Sequence, residues 1–400
     1  MLIVQKYGGA TLSTPEKVKK VARRIESYIR EGHRVVAIVS AMGKTTNELI
    51  SLANQVSTQP SLRELDMLLT TGERISMSLV SMALNDLGVP AISYTGSQAG
   101  VLTNDSHVNA LITDVKAFRV AEALEEGKVV VLAGFQGVSP ATKEITTLGR
   151  GGTDTTAVAM ACYLKADRCE IVKDVAGVFS ADPNFIEGAF NLPRLSYEQM
   201  ADMTFGGAKV VHYRAIELAT RHKMDLWIGP MENIEQEGTQ VINKGSLPMY
   251  EKVSVVSLNS FDKVLILHGS ADSALDFIKN FREGLQKFQV ADPQILHFQT
   301  QSATSLESSY QLMLSGPSEI LEAIESRMKD LYEINGSNCL ITATCNGTAS
   351  PELSALLLDQ LKKTQVAPQN LWLSALSVFM ILPQTDRKKA LQSLHELVQK

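Results

Sequence analysis

The chain opens "LIVQKYGGATLSTPEKVKK" (2–20), and this stretch decides how its first half folds. Leu2 to Gln5 form a short apolar run of strand length, Gly8 and Gly9 break it, and a helical pattern follows from residue 15. Strand, glycine turn and helix in that order predict the first unit of a parallel α/β sheet. The turn also carries chemistry. Lys6 can neutralise phosphate charge, Gly8 and Gly9 bare N–H groups that a Cβ would obstruct, and Thr11 adds a hydroxyl beside the positive end of a helix. A tight turn with a surface lysine is an equal reading of the same residues.

The pattern then repeats. "RVVAIVS" (34–40), "PAISY" (90–94), "KVVVLAGF" (128–135) and "RCEIVKD" (168–174) read as strands. Segments 15–31, 61–87, 115–126, 154–165 and 207–222 read as helices. Continuous apolar strands alternating with helices predict an open, mostly parallel sheet covered on both faces, with ligands at the carboxyl ends of the strands. From about residue 250 a different order, βαββα, occurs twice at a spacing of roughly 75 residues. Each copy lacks one strand of a ferredoxin-like βαββαβ module. "VSVVSL" (253–258) can supply one, so the two modules are expected to interleave. The expected organisation is a catalytic domain over 1–232, a linker over 233–252 and two modules over 253–400 (259–336, and 253–258 with 337–400).

Four hundred residues are enough for two or three domains, and 44% hydrophobic with 20% charged residues is the composition of a globular protein. A net charge of −5 excludes a general nucleic-acid binder, though not a local basic pocket. The four cysteines show no CxxC pair and no histidine at zinc-ligand spacing, which predicts free thiols in a reducing compartment. The N-terminal apolar run is too short for a signal peptide and no run reaches membrane-span length, so a cytoplasmic protein is expected.

"SAMGKTT" (40–46) invites a P-loop assignment, but GxxxxGK[ST] needs glycine at position 38, which is Ile38. "LLTTGERISMSLVSMAL" (68–84) places Glu73 and Arg74 in an apolar helical run. Glu73 is either a helix-surface charge or a carboxylate at a cavity edge, ready for a substrate ammonium. In "TLGRGGTD" (147–154), Arg150 can grip a carboxylate bidentately and Gly151, Gly152 and Thr153 can offer N–H donors, with Asp154 as N-cap of the next helix. Asp174 and Asp182 in "VKDVAGVFSADP" (172–183) suit either a ribose or base, or the capping of two turns. Lys209 in "GGAKVVH" (206–212) falls near a helix N-terminus, where a lysine opposes the dipole unless an anion binds there too. Lysines, glycine N–H donors and a Glu/Arg pair at strand ends fit phosphoryl transfer to an amino acid.

Taken in order, "VQKYGGAT", "SAMGKTTNEL", "LLTTGERIS", "YTGSQAGV", "AGFQGV", "TLGRGGTDTTAVA", "DVAGVFSADP" and "GGAKVVH" resemble the motifs of the aspartokinase family. The resemblance covers residues 1–230, and the C-terminal repeat is similar to the family's paired ACT modules. It implies transfer of the ATP γ-phosphoryl group to L-aspartate, with Mg²⁺ held mainly by phosphates and water, in a homodimer or higher homo-oligomer built through the ACT modules. It implies Lys6 and Asp154 as catalytic residues, Arg150 on the substrate α-carboxylate, Glu73 on its ammonium, and Thr46 and Thr153 as hydrogen-bonding partners. Nucleotide contacts are implied for Lys6, Gly8, Gly9, Ala10, Thr11, Lys173, Asp174, Phe179, Asp182, Lys209 and Val210. No residue is expected to ligate a metal.

The sequence departs from the family pattern at Ala10, Lys173, Ala176 and Asn184, all on the nucleotide side. It departs again in the effector loops, "LHGSADSALDF" (267–277) and "CNGTASPELSA" (345–355), where the usual Pro-Gly is missing. Feedback inhibition by lysine or threonine is therefore expected to be weak or absent. The rival is a non-catalytic amino-acid or nucleotide sensor of the same architecture. Lys6, Glu73, Arg150, Asp154 and Lys209 together speak against it.

Overall fold

The computed structural model describes residues 1–232, 238–243, 253–288, 290–303 and 308–398. The chain forms two compact units. The first comprises 1–178, 191–201 and 209–248; the second comprises 179–190, 202–208 and 249–400.

The first unit begins with β1 (Leu2–Tyr7), α1 (Pro15–Arg30), β2 (Arg34–Val39), α2 (Thr45–Val56), α3 (Leu62–Asp86) and β3 (Ala91–Tyr94). Next come β4 (Val101–Thr103), β5 (Ile112–Val115), α4 (Phe118–Glu125), β6 (Val129–Ala133), β7 (Gln136–Val138) and β8 (Ile145–Thr147). It continues with α5 (Gly152–Leu164), β9 (Arg168–Lys173), β10 (Arg194–Ser196), α6 (Tyr197–Phe205, of which residues 202–205 count with the second unit), α7 (Tyr213–His222), β11 (Leu226–Pro230) and β12 (Thr239–Ile242). The eight-stranded sheet has the order β10-β12-β11-β9-β1-β2-β6-β3, parallel except between β11 and β12. This is the open, mostly parallel sheet expected, and β1 is buried along its whole length. Strand order reverses between β1 and β9, so the crevice at their carboxyl ends is the natural ligand position. Register there sets Lys6 opposite Ile171 and Tyr7 opposite Val172.

Local chemistry explains the helices. Thr14 caps α1 by accepting the Lys17 N–H at 3.4 Å, Pro15 sits at its first turn, and Val18, Val21, Ala22 and Ile25 bury one face against the sheet core. Two expectations are corrected. The helix expected over 207–222 starts only at Tyr213, capped by the His212 ring, which accepts the Arg214 N–H at 3.3 Å. Gly207, at φ +112, bends the chain ahead of it, so Lys209 lies in a loop and the dipole argument for it lapses. Asp154 is not an N-cap, because α5 begins at Gly152 and Gly151 holds the cap position. A four-stranded sheet, β5-β4-β7-β8, was not foreseen.

The second unit contains β13 (Val255–Ala271), α8 (Ala274–Lys287), β14 (Gln294–Ala303), β15 (Ser308–Ser315) and α9 (Ser318–Arg327). It closes with β16 (Glu333–Cys345), α10 (Pro351–Lys362), β17 (Asn370–Leu373), β18 (Ser377–Pro383) and α11 (Arg387–His395). One antiparallel sheet, β14-β15-β13-β16-β18-β17, runs through it. The segments expected as separate strands, 253–258 and 263–268, belong to the single strand β13, whose pairing with β16 shifts register between Phe261 and Ile266. The later half of β13 pairs with β15, while β18 pairs only with the later half of β16. Each long strand thus serves both βαββα copies and supplies what each lacked. Trp372 of β17 stacks on His297 of β14, ring centroids 4.9 Å apart, although these are opposite edges of the sheet. The sheet is therefore folded over, with Val264, Ile266, Met313, Leu340 and Phe379 enclosed. The expected linker lies mostly outside the described residues.

Candidate active site

At the β1 carboxyl end, Lys6 Nζ lies 2.7 Å from Asp154 Oδ1, and both side chains are 7% exposed. Asp154 stands in the first turn of α5, and its Oδ2 accepts the His212 backbone N–H at 3.2 Å. Burial opposes its charge, but Lys6 and Lys173 outweigh burial and hold the carboxyl below the usual range. The carboxylate is free for Lys6 because Gly151, at φ +69, makes the cap without a side chain. A Cβ on Gly151 would come within 2.1 Å of the His212 Cβ, so the loop carrying Arg150 can close on His212 only with glycine there.

Lys173 ends β9. Burial, and then Lys6, push its pKa down, while Asp154 and Asp174 pull it back. A cavity of about 250 Å³ opens beside it, lined by Ala10, Thr11, Lys17, Lys173, Asp174 and Met231 among others. Thr11 does not offer its hydroxyl hydrogen to a ligand; Oγ1 donates to the Gly8 carbonyl at 2.7 Å and tightens the turn. Gly9 is hemmed by the loop after β2, where a Cβ would meet Ala41 O at 2.8 Å and Gly43 O at 3.0 Å.

The same loop orients Glu73. This residue of α3 is 3% exposed; its Oε1 accepts the Ala41 N–H at 2.9 Å and its Oε2, also buried, has no partner. Burial raises its pKa to about 7 against the pull of the Ala41 N–H. A buried carboxylate with one satisfied oxygen is costly in isolation and is stabilised by a cation carrying N–H donors.

The other expected residues are placed as follows. Thr46 is half-buried on α2, Thr153 is buried in the first turn of α5, and Arg150 is exposed in the loop after β8. Lys209 is exposed and Val210 half-buried in the loop before α7. Lys6, Thr153, Asp154, Lys173 and His212 cluster at the ends of β1, β9 and α5. Phe179 and Asp182 belong to the second compact unit, where Asp182 Oδ1 accepts the Asn184 N–H at 2.9 Å in a turn. Sequence reading missed His212, whose link to Asp154 spans 58 positions, and Met231, which follows the unrecognised strand β11. Among the described residues no three His, Cys, Asp or Glu side chains gather as a metal site. None of the described helices is long and apolar enough to cross a membrane.

The model of the amino acid kinase family matches residues 1–230. Aspartokinase 2 of Bacillus subtilis is 37% identical over 401 residues, covering 99% of this chain and 97% of that protein. The aspartokinase of Corynebacterium glutamicum is 39% identical over 412 residues, covering 100% and 96%. In fold, the chain is similar to E. coli aspartokinase III crystallised with aspartate and ADP, at a TM-score of 0.79, 20% identity and 99% coverage of both chains. With a kinase fold over its first unit, buried charges at the strand ends and full-length relatives of this identity, the chain belongs to the aspartokinases, the aspartate kinases of the amino acid kinase family.

Proposed function

We propose that this aspartate kinase transfers the γ-phosphoryl group of ATP to the side-chain carboxylate of L-aspartate, giving 4-phospho-L-aspartate and ADP, the first step toward lysine, methionine and threonine. A carboxylate oxygen attacks the γ-phosphorus, and the bond to the β,γ-bridging oxygen breaks, leaving its electron pair on ADP. The step needs little covalent help and much charge neutralisation. The observation that carries the reading is Glu73, a buried carboxylate in the kinase fold with one oxygen unpartnered, which suits the ammonium of an amino-acid substrate. Arg150 receives the substrate α-carboxylate, and Thr46 and Thr153 add hydrogen bonds.

The nucleotide reading rests on charge. Lys6 and Lys173 share one buried carboxylate, Asp154, with Asp174 exposed beside Lys173, so the end of β1 presents two lysines to a polyphosphate. Gly8 and Gly9 supply N–H groups, Lys209 and Val210 border the phosphates, and the cavity of Ala10, Thr11, Lys173 and Asp174 takes the nucleoside. Mg²⁺ bound with the nucleotide would be held mainly by the phosphates and water and would neutralise part of their charge. Asp154 holds Lys6 in place while the transferring group passes it. The second unit serves assembly of a homodimer through its ACT-like modules, and feedback by lysine or threonine is weak or absent.

Trapping the acyl phosphate as its hydroxamate, with MgATP and either L-aspartate or L-glutamate, tests the reading. Product from aspartate alone supports it. No product from folded protein that still binds aspartate or ATP turns the reading to a sensor.

A further inference from the structure

Arg24 on α1 does not line the nucleotide cavity, yet it holds part of its wall. Its Nη1 donates to two consecutive carbonyls, Pro230 O at 3.1 Å and Met231 O at 2.5 Å, where the chain leaves β11. Its Nη2 donates to Glu170 Oε2 at 3.2 Å. Glu170 lies on β9, three residues before Lys173, and is wholly buried. It accepts further bonds from Tyr28 Oη at 3.0 Å and Gln5 Nε2 at 3.0 Å, and pairs with Arg168. Gln5 immediately precedes Lys6, and Gln5 and Glu170 face each other in register. The Trp227 ring lies 5.6 Å from the guanidinium.

A buried ion pair of this kind is a poor stability device, because apolar residues of equal volume commonly hold a core as well. What it supplies here is direction. A planar guanidinium bonds Glu170 through Nη2 and the two carbonyls through Nη1, a fixed fork that the freely rotating ammonium of a lysine does not reproduce. The strands that bring Lys6 and Lys173 to the crevice share that anchor, so the phosphate end and the far wall of the cavity are referred to one buried group.

We infer that Arg24, backed by Glu170, is a positioning residue that sets the Pro230–Met231 wall for the nucleotide; this rests on the nucleotide reading of the cavity given above. It predicts a selective defect. In the full-length enzyme, Arg24→Met and Arg24→Gln raise KM for ATP about 10-fold, with kcat within about 2-fold and KM for aspartate unchanged. Arg24→Lys recovers part of the loss, and Glu170→Gln moves the same constant in the same direction by less. Should the Arg24→Met chain fail to fold, the lysine and Glu170→Gln variants carry the test. An unchanged KM for ATP in folded Arg24 variants overturns the inference, and so does an equal loss in both KM values and kcat, which marks general loosening. Met231→Trp, which fills the cavity, separates the two layers. If it leaves KM for ATP unchanged, the nucleotide reading falls and the Arg24 role with it. If it raises KM while the Arg24 variants stay normal, only the Arg24 role falls.

Discussion

Asp66 and Glu73 stand two turns apart on one face of α3, both buried, and only Asp66 is satisfied. Asp66 accepts from Thr147 Oγ1 at 2.5 Å and from the Val108 N–H at 3.0 Å, and its Oδ2 lies 2.6 Å from His107 Nδ1. Glu73 has the Ala41 N–H alone, with its second oxygen unpartnered. One helix thus carries a structural carboxylate and a receptive one.

Glu73→Gln is expected to raise KM for aspartate about 10- to 100-fold, as loss of a charged hydrogen bond worth about 1.5–3 kcal/mol requires, with KM for ATP little changed. The pH profile is a second check. With a free-enzyme pKa of about 7, kcat/KM for aspartate falls as pH drops below that value, and the Glu73→Gln variant loses this limb. Stability runs the other way. Because the folded pKa lies above the unfolded one, the native state holds its proton longer, and stability declines as pH rises from about 4.5 through about 7, by on the order of 3 kcal/mol. Urea unfolding at pH 8 therefore finds the glutamine variant more stable than the parent.

Lys6→Met is expected to lower kcat about 10²- to 10³-fold by removing a positioned charge from the transferring group. It also leaves Asp154 buried without its cation, a loss of about 3–5 kcal/mol. The double variant Lys6→Met/Asp154→Asn regains most of the stability in urea unfolding and none of the activity. In the parent, the depressed Asp154 pKa stabilises the fold above the ordinary aspartate range, and that contribution disappears as pH falls through the folded value.

Gly8 and Gly9 look alike in sequence but differ in tolerance. A Cβ on Gly8 meets only Lys6 Nζ, at 3.4 Å, whereas on Gly9 it meets two backbone carbonyls at 3.0 Å or less. Gly9→Ala should cost about 1–3 kcal/mol and most of the activity, and Gly8→Ala should melt within a few degrees of the parent. Thermal unfolding of the pair, with activity alongside, checks this.

Millimolar lysine and threonine, singly or together, are expected to leave the rate unchanged at subsaturating aspartate. Segments 267–277 and 345–355, the proposed counterparts of the family's effector loops, contain no Pro-Gly. Inhibition by more than half would remove the feedback claim without touching the kinase assignment.

Much of this was legible in the sequence. The buried parallel strands were, since β2 and β6 are almost wholly apolar runs that only a covered sheet accommodates, and β1 and β9 carry shorter apolar runs interrupted by Gln5, Lys6 and Glu170. α2 was missed although Leu49, Leu52, Ala53 and Val56 recur at helical spacing; the structure buries none of its residues, so this stripe marks no core. β4, β7 and β8 are three residues each, below the reach of any periodicity. The start of α7 was misplaced because its cap is His212, outside the usual set of serine, threonine, aspartate and asparagine. At the site, residue types were readable and pairings were not. Nothing near Glu73 announces Ala41, and nothing near Asp154 announces His212, since both links close across the fold.

The long antiparallel pair of β13 and β16 has a consequence for how the C-terminal unit comes apart. Its two halves share backbone hydrogen bonds along the same two strands, so no peptide bond separates one half from the other. A chain truncated after α9 loses β16 and strands the first half with an open edge, while one begun at β16 strips the second half of the earlier part of β13. The unit is therefore expected to melt in a single transition, with neither half an exchangeable part that can be grafted alone onto another enzyme.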